Sequence, residues 1–176
     1  MPVRKFTSAE LDPFRRLYHD ELHGYGKDAD FDQWHAYLKE NGRVLTAADL
    51  KRMGDWKSER RADLLLENPD RVVKAVTKLA FELADDGYGI GLLCALSGVD
   101  VRMASAFLTL HNPSRFGVLD QFAWRALFGE EPSYYGEKQW VEYITEIQRL
   151  GQDFGWTPRE VDKALLMWGK YQGRLP

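Results

Sequence analysis

Leu92-Leu93-Cys94-Ala95-Leu96-Ser97-Gly98-Val99-Asp100-Val101-Arg102-Met103-Ala104 is the stretch on which the fold turns. Leu93, Leu96, Val99, Ala104 and Leu108 have the apolar spacing of two short crossing helices, and Ser97-Gly98-Val99-Asp100 between them has the composition of a tight turn. Helices over about 89–96 and 101–111 are predicted on either side, with small Ala104 allowing close approach. A glycine-containing hairpin between short helices can turn successive backbone N–H groups outward, and such a concavity holds a phosphate without a basic side chain. Any tight helical hairpin uses glycine, so the turn alone specifies a shape and not yet a partner.

Downstream, Val118-Leu119-Asp120-Gln121-Phe122-Ala123-Trp124-Arg125 puts an aspartate at the start of another helix. Asp120 is a good N-cap there, and loss of such a cap typically costs ~1 kcal/mol. Together the two stretches resemble the helix-hairpin-helix DNA glycosylases. Those enzymes show Leu-Pro-Gly-Val-Gly, then two residues on a lysine in the members that also act as lyases, then Ala, and later Val-Asp ahead of an aromatic residue and Arg or a close variant. Arg102 stands at the lysine position, and Asp120 follows it by 18 residues, the interval of endonuclease III-like members. The wider run from Trp56-Lys57 through Ala104-Ser105-Ala106 to Trp168 is also similar to a set of small prokaryotic proteins, a likeness that brings no substrate with it.

The resemblance implies an all-α, compact multi-helix domain of the DNA-glycosylase type, with the helix-hairpin-helix at about 89–111. It implies DNA as partner and Asp120 as the catalytic carboxylate. Breaking an N-glycosidic bond builds positive charge on the sugar, which a carboxylate stabilises or answers by activating water. The base must first leave the stack for a pocket beside that carboxylate. Gly98 and Val99 are then the phosphate-facing turn, Trp124 and Arg125 the candidates to meet base or backbone.

Two departures qualify this. A guanidinium at Arg102 stays protonated and is not nucleophilic, so the expected enzyme is monofunctional, with water as nucleophile and no lyase step. Arg102 paired with Asp120 is the opposing reading, a salt bridge holding the carboxylate off any substrate. Asp100 replaces the second hairpin glycine; it can cap the next helix, but its charge near a phosphate costs ~1 kcal/mol at about 4 Å in water and more when desolvated. Either a monovalent cation at the hairpin offsets it, the one candidate cofactor, or the hairpin holds DNA weakly.

The remaining composition argues for one domain over 1–176: 176 residues, 44% hydrophobic and 29% charged, suffice for a single core. A formal charge of -3 opposes generic nucleic-acid binding, so contact with DNA must rest on a local patch. Lys51, Arg52, Lys57, Arg60 and Arg61 around Trp56 are the best such cluster, suited to tracking a strand, although Glu59 and Asp63 dilute it toward an ordinary solvated helix face. Lys57 and Arg60 are its DNA-binding candidates. The single cysteine, Cys94, lies in an apolar run and forms no internal disulfide; with four histidines, His19, His23, His35 and His111, no metal site is expected. The N-terminus has no apolar run, so neither a secretory signal nor a membrane anchor is expected; the expectation is a cytoplasmic protein, monomeric, without membrane contact.

Helix punctuation is legible elsewhere. A first helix opens at Ser8 or Asp12 and carries Phe14, Leu17 and Tyr18; a second is capped by Asp30 and closed by Gly42; Thr46 opens a short third, with a bend at Gly54 into a further helix over 59–66. Asn68-Pro69 starts a helix ending at Gly87, with Val72, Val76, Leu79, Ala80 and Leu83 facing the core at its centre. Helices over 137–150 and from the capping box Thr157-Pro158-Arg159-Glu160 complete the chain. Trp34, Trp140 and Trp168 fall at apolar positions and read as packing, as does Trp156, placed to staple onto Val161; Tyr134 and Tyr135, in the loop over 129–136, are better placed to touch a ligand. Two alternatives stand beside the glycosylase: a non-catalytic helix-hairpin-helix module gripping DNA through backbone amides and Lys57, Arg60 or Arg61, and a helical interaction protein without DNA.

Overall fold

The turn at Gly98 forms as predicted in the computed structural model, which describes residues 3–23, 27–41, 44–57, 62–83 and 86–176, and their side chains apart from 20–23, 27–29 and 86. Gly98 has φ +81°, a conformation that glycine adopts at little cost. It joins α5 (Asp86–Leu93) to α6 (Val101–His111). Before them come α1 (Ser8–His23), α2 (Lys27–Glu40), α3 (Ala47–Lys57), a 3-10 turn (Asp63–Glu67) and α4 (Asp70–Glu82). After them come α7 (Gln121–Phe128), α8 (Glu137–Phe154) and α9 (Pro158–Lys170). Every regular element among the described residues is helical, as the sequence predicts.

The centre is α6, the second helix of the hairpin. Val101 and every residue from Met103 to His111 are buried, so this helix meets protein on all sides. Its buried hydroxyls bond within the helix: that of Thr109 donates to the Ser105 carbonyl at 2.7 Å, and that of Ser105 to the Arg102 carbonyl at 2.7 Å. Its Phe107 belongs to one continuous core with Trp124, Trp140, Tyr143, Ile147 and Leu165. A smaller cluster, Phe14, Tyr18 and Met167, joins α1 to α9.

Several boundaries differ from expectation for stateable reasons. Gly54 lies inside α3, which runs through it to Lys57; a Cβ there would meet the Leu65 side chain at 2.5 Å, so this glycine permits a close approach and does not mark a bend. The expected helix over 59–66 is a 3-10 turn over Asp63–Glu67 in its described part. Asn68 does not cap α4. Its amide bridges to the hairpin, accepting from the Ser97 N–H at 2.8 Å and donating to the Ser97 carbonyl at 3.0 Å. On α4 the buried face is Val73, Thr77, Ala80 and Phe81, one residue out of register with the expected stripe, and Val72 and Leu79 are exposed. That helix ends at Glu82, and Gly87 falls within α5. The second helix begins at Lys27, ahead of Asp30, while Gly42 lies outside the described residues. The capping box of Thr157 and Glu160 forms as read.

One close contact fixes α9 against α7. Gly169 of α9 crosses the start of α7 so closely that a Cβ would sit 2.1 Å from the Phe122 carbonyl oxygen. Gly169→Ala should therefore push α7 aside and cost roughly 1–3 kcal/mol, an overpacking penalty against backbone that cannot rotate away. Urea titration checks this; an unchanged midpoint would show that the crossing has slack.

Candidate active site

The segment entering α7 is tied down on three sides before it reaches Asp120. The Val118 N–H donates to Asp162 Oδ2 at 2.6 Å, its carbonyl accepts from the Tyr143 hydroxyl at 3.0 Å, and the Leu119 N–H donates to the Ser105 hydroxyl at 2.9 Å. Ser105 lies one turn beyond Arg102 on α6, so the hairpin and the aspartate share a rigid connection. Asp120 itself has extended backbone and caps α7, its Oδ1 accepting from the Phe122 N–H at 2.8 Å. The other oxygen, Oδ2, faces Lys57 Nζ at 3.7 Å.

That pair was not foreseen: Lys57 read as one of a cluster of surface cations. It closes α3, where a cation is favoured by the helix dipole, and its side chain is only 18% exposed, with Asp120 at 22%. Burial pushes the Lys57 ammonium below the usual lysine range; Asp120 and Asp162 oppose that, while Arg159 and Arg102 reinforce it. At about 4 Å a pair is worth ~4 kcal/mol at an effective dielectric of 20, of the same order as the several kcal/mol needed to desolvate each ion. The ammonium is consequently easier to deprotonate than a surface lysine.

Behind the pair is a second one that the sequence reading missed. Asp162 and Arg159, three apart on α9, are both buried and meet at 2.6 Å. Arg159 also donates to the Tyr18 hydroxyl at 2.9 Å, and its guanidinium lies 4.9 Å from the Phe31 ring centroid and 5.8 Å from that of Trp56. The signal was present: Asp162 is in helical register with buried Pro158 and Leu165, so a charge stood on the apolar stripe. Burial outweighs Arg159 and raises the Asp162 carboxyl from 3.8 to about 6. A carboxyl raised on folding stabilises the fold fully below its unfolded value and loses that contribution as pH climbs through the folded one. Unfolding free energy should thus decline between about pH 4 and pH 6 more steeply in the wild type than in Asp162→Asn; parallel slopes would refute the raised value.

The remaining candidates divide. Arg102 does not pair with Asp120: it lies 3.4 Å from Asp100 and 5.6 Å from the Tyr135 ring centroid. Asp100 caps α6 through the Met103 N–H at 2.9 Å, with ordinary φ -96°, and Arg102 gives it a counter-charge. The Val99 N–H donates to the Leu96 carbonyl at 3.1 Å and its side chain is buried, so the outward amide expected at this position is turned inward. Trp124 is 2% exposed, donates to the Glu130 carbonyl at 2.8 Å and packs on Phe128 and Tyr135, a core residue and not a base platform. Arg125 is exposed, over Phe122 and 3.8 Å from Glu131. Lys51 pairs with Asp55 and Asp63, and Arg52 covers Trp34, so these members of the basic cluster are engaged; Arg60 and Arg61 lie outside the described residues. Among the described residues no group of three metal-binding side chains forms.

A cleft of about 380 Å³ lies between the hairpin and the loop after α7, lined by Asp100, Arg102 and residues Glu131 to Tyr135. That is within the range of small-ligand pockets. Tyr134 is 71% exposed at its rim. Tyr135 is half-buried, bonded to Glu131 at 3.2 Å, and burial followed by the charges of Glu131 and Asp120 raises its phenol well above the ordinary value.

No family model matches the chain, and no curated protein matches it. Among solved structures, the chain is similar to the Methanocaldococcus jannaschii 8-oxoguanine glycosylase/lyase in complex with a 15mer DNA containing 8-oxoguanine, at 15% identity and a TM-score of 0.49, over 95% of this chain and 84% of that one. No helix among the described residues is long and apolar enough to cross a membrane.

Proposed function

We propose that this protein is a DNA glycosylase that breaks the N-glycosidic bond of a damaged or modified base, with Asp120 as its essential carboxylate. The observation that carries the reading is the fixed placement of Asp120. Ser105 links it to the hairpin helix, Phe122 holds one carboxylate oxygen, and the other faces the partly exposed Lys57. A carboxylate held in this way is already oriented when positive charge develops on the sugar, so stabilising that charge needs no reorganisation. The cleft beside Arg102 and Tyr135 is the space in which an extruded base or its neighbour would lie.

Arg102 contributes a positive charge and no nucleophile, so no lyase step runs through the hairpin position. A purely DNA-binding role draws less support, because Lys57, one of the cations it needs, is taken up by Asp120. The test is a panel of duplexes bearing single lesions or modified bases. At least one should acquire an alkali-sensitive site with the wild-type protein and none with Asp120→Asn. A panel left intact by folded wild-type protein that nevertheless binds the duplexes would favour the non-catalytic module.

A further inference from the structure

We infer that Lys57, from α3, supplies the amine nucleophile that the hairpin lacks, forming a transient imine with C1′ of the target nucleotide and giving the protein a lyase step. The inference rests on the glycosylase reading of Asp120 and goes beyond it by naming a second catalytic residue on a different helix.

Geometry carries it. Nζ of Lys57 is 3.7 Å from Asp120 Oδ2, on a side chain mostly withdrawn from water but still 18% exposed. An amine acts as a nucleophile only when neutral, and desolvation is the ordinary means of making a lysine neutral near physiological pH. The adjoining carboxylate accepts the proton that the nitrogen must lose. The charges that act on this amine come from three helices: Asp120 at the head of α7, Asp162 and Arg159 on α9, and Arg102 on α6. The two cations among them favour the neutral amine.

The step balances without a cofactor. The amine forms a bond to C1′ while the bond to the base breaks; the base leaves with the bonding pair, and the proton lost by nitrogen passes through Asp120 to the base. Ring opening then places a proton on O4′ and leaves a C1′=N iminium. Loss of a C2′ proton expels the phosphate from C3′, so one proton is taken up and one released. Water finally hydrolyses the imine and regenerates the amine.

A duplex with a single abasic site is the probe, since it tests the amine whichever base is excised. With borohydride present, the full-length wild type should give a covalent adduct that peptide mass spectrometry locates at Lys57, and without borohydride it should nick the strand. Adduct formation should reach half its maximal rate below the 10.5 of an ordinary lysine. Lys57→Met should lose adduct and nicking at least tenfold while Lys74→Met, at an exposed lysine of α4, keeps both, and circular dichroism and urea unfolding confirm that each is folded. An adduct surviving Lys57→Met, or none from a wild type that still creates alkali-sensitive sites in the lesion panel, overturns the inference and leaves the glycosylase standing. An adduct at Lys57 with no base released from any duplex supports the amine and removes the glycosylase reading.

Discussion

Asp120→Asn should abolish base release by roughly 10²- to 10⁴-fold, the range assigned to a positioned acid or base, and leave the protein folded. The substitution separates two roles held by one residue. As an N-cap, Asp120 accepts from the Phe122 N–H at 2.8 Å, and an asparagine oxygen can accept the same bond; Asn and Asp rank together as caps. As a carboxylate facing Lys57 it has no neutral substitute, because an amide can neither take up a proton from the amine nor stabilise a cationic sugar. Asp120→Ala removes both roles and should add ~1 kcal/mol of lost stability to the same kinetic defect. Single-turnover base release on whichever duplex responds, read beside urea midpoints, makes the distinction. Full activity in the folded asparagine variant would leave Asp120 a cap and nothing more.

The second large effect falls on stability. Arg159→Leu removes the partner of Asp162 and leaves a carboxylate that is 1% exposed with its charge unanswered. Breaking a buried pair on one side typically costs 3–5 kcal/mol, against the roughly 5–15 kcal/mol that holds a whole domain folded. Asp162 also receives the Val118 N–H, so the damage extends to the segment that delivers Asp120. The deficit should be largest near neutral pH and shrink on acidification, because Asp162, already raised to about 6, becomes easier to protonate once its cation is gone. Differential unfolding at two pH values checks both claims; a deficit below about 1 kcal/mol would place the pair among those that barely offset their own desolvation.

Asp120 was legible because capping is local: the aspartate, the helix it opens and the amide it satisfies lie within a few residues. The Gly98 turn, the Thr157 box and the Asp100 cap were legible for the same reason. Reading went astray where a local cue had a distant cause. Gly54 read as a bend because glycine disfavours helix, yet its reason is the Leu65 side chain arriving from beyond the helix. Asn68 read as the start of a helix, yet its amide is occupied by Ser97 of the hairpin. Trp124 read as a possible base contact four residues beyond the catalytic candidate, but the loop after α7 folds back over it and takes its indole N–H.

By itself, then, the sequence determined that this chain is helical, where its hairpin turns and which acid heads the following helix, since hydrogen bonds within one helical turn and apolar periodicity encode each of these. Only the tertiary structure decided which charges meet. Lys57 reaches Asp120, and Arg159 holds Asp162 beneath the segment that carries it, because α3, α7 and α9 converge at one point. Partner choice among charges depends on distance and desolvation, quantities that exist only once the helices have packed.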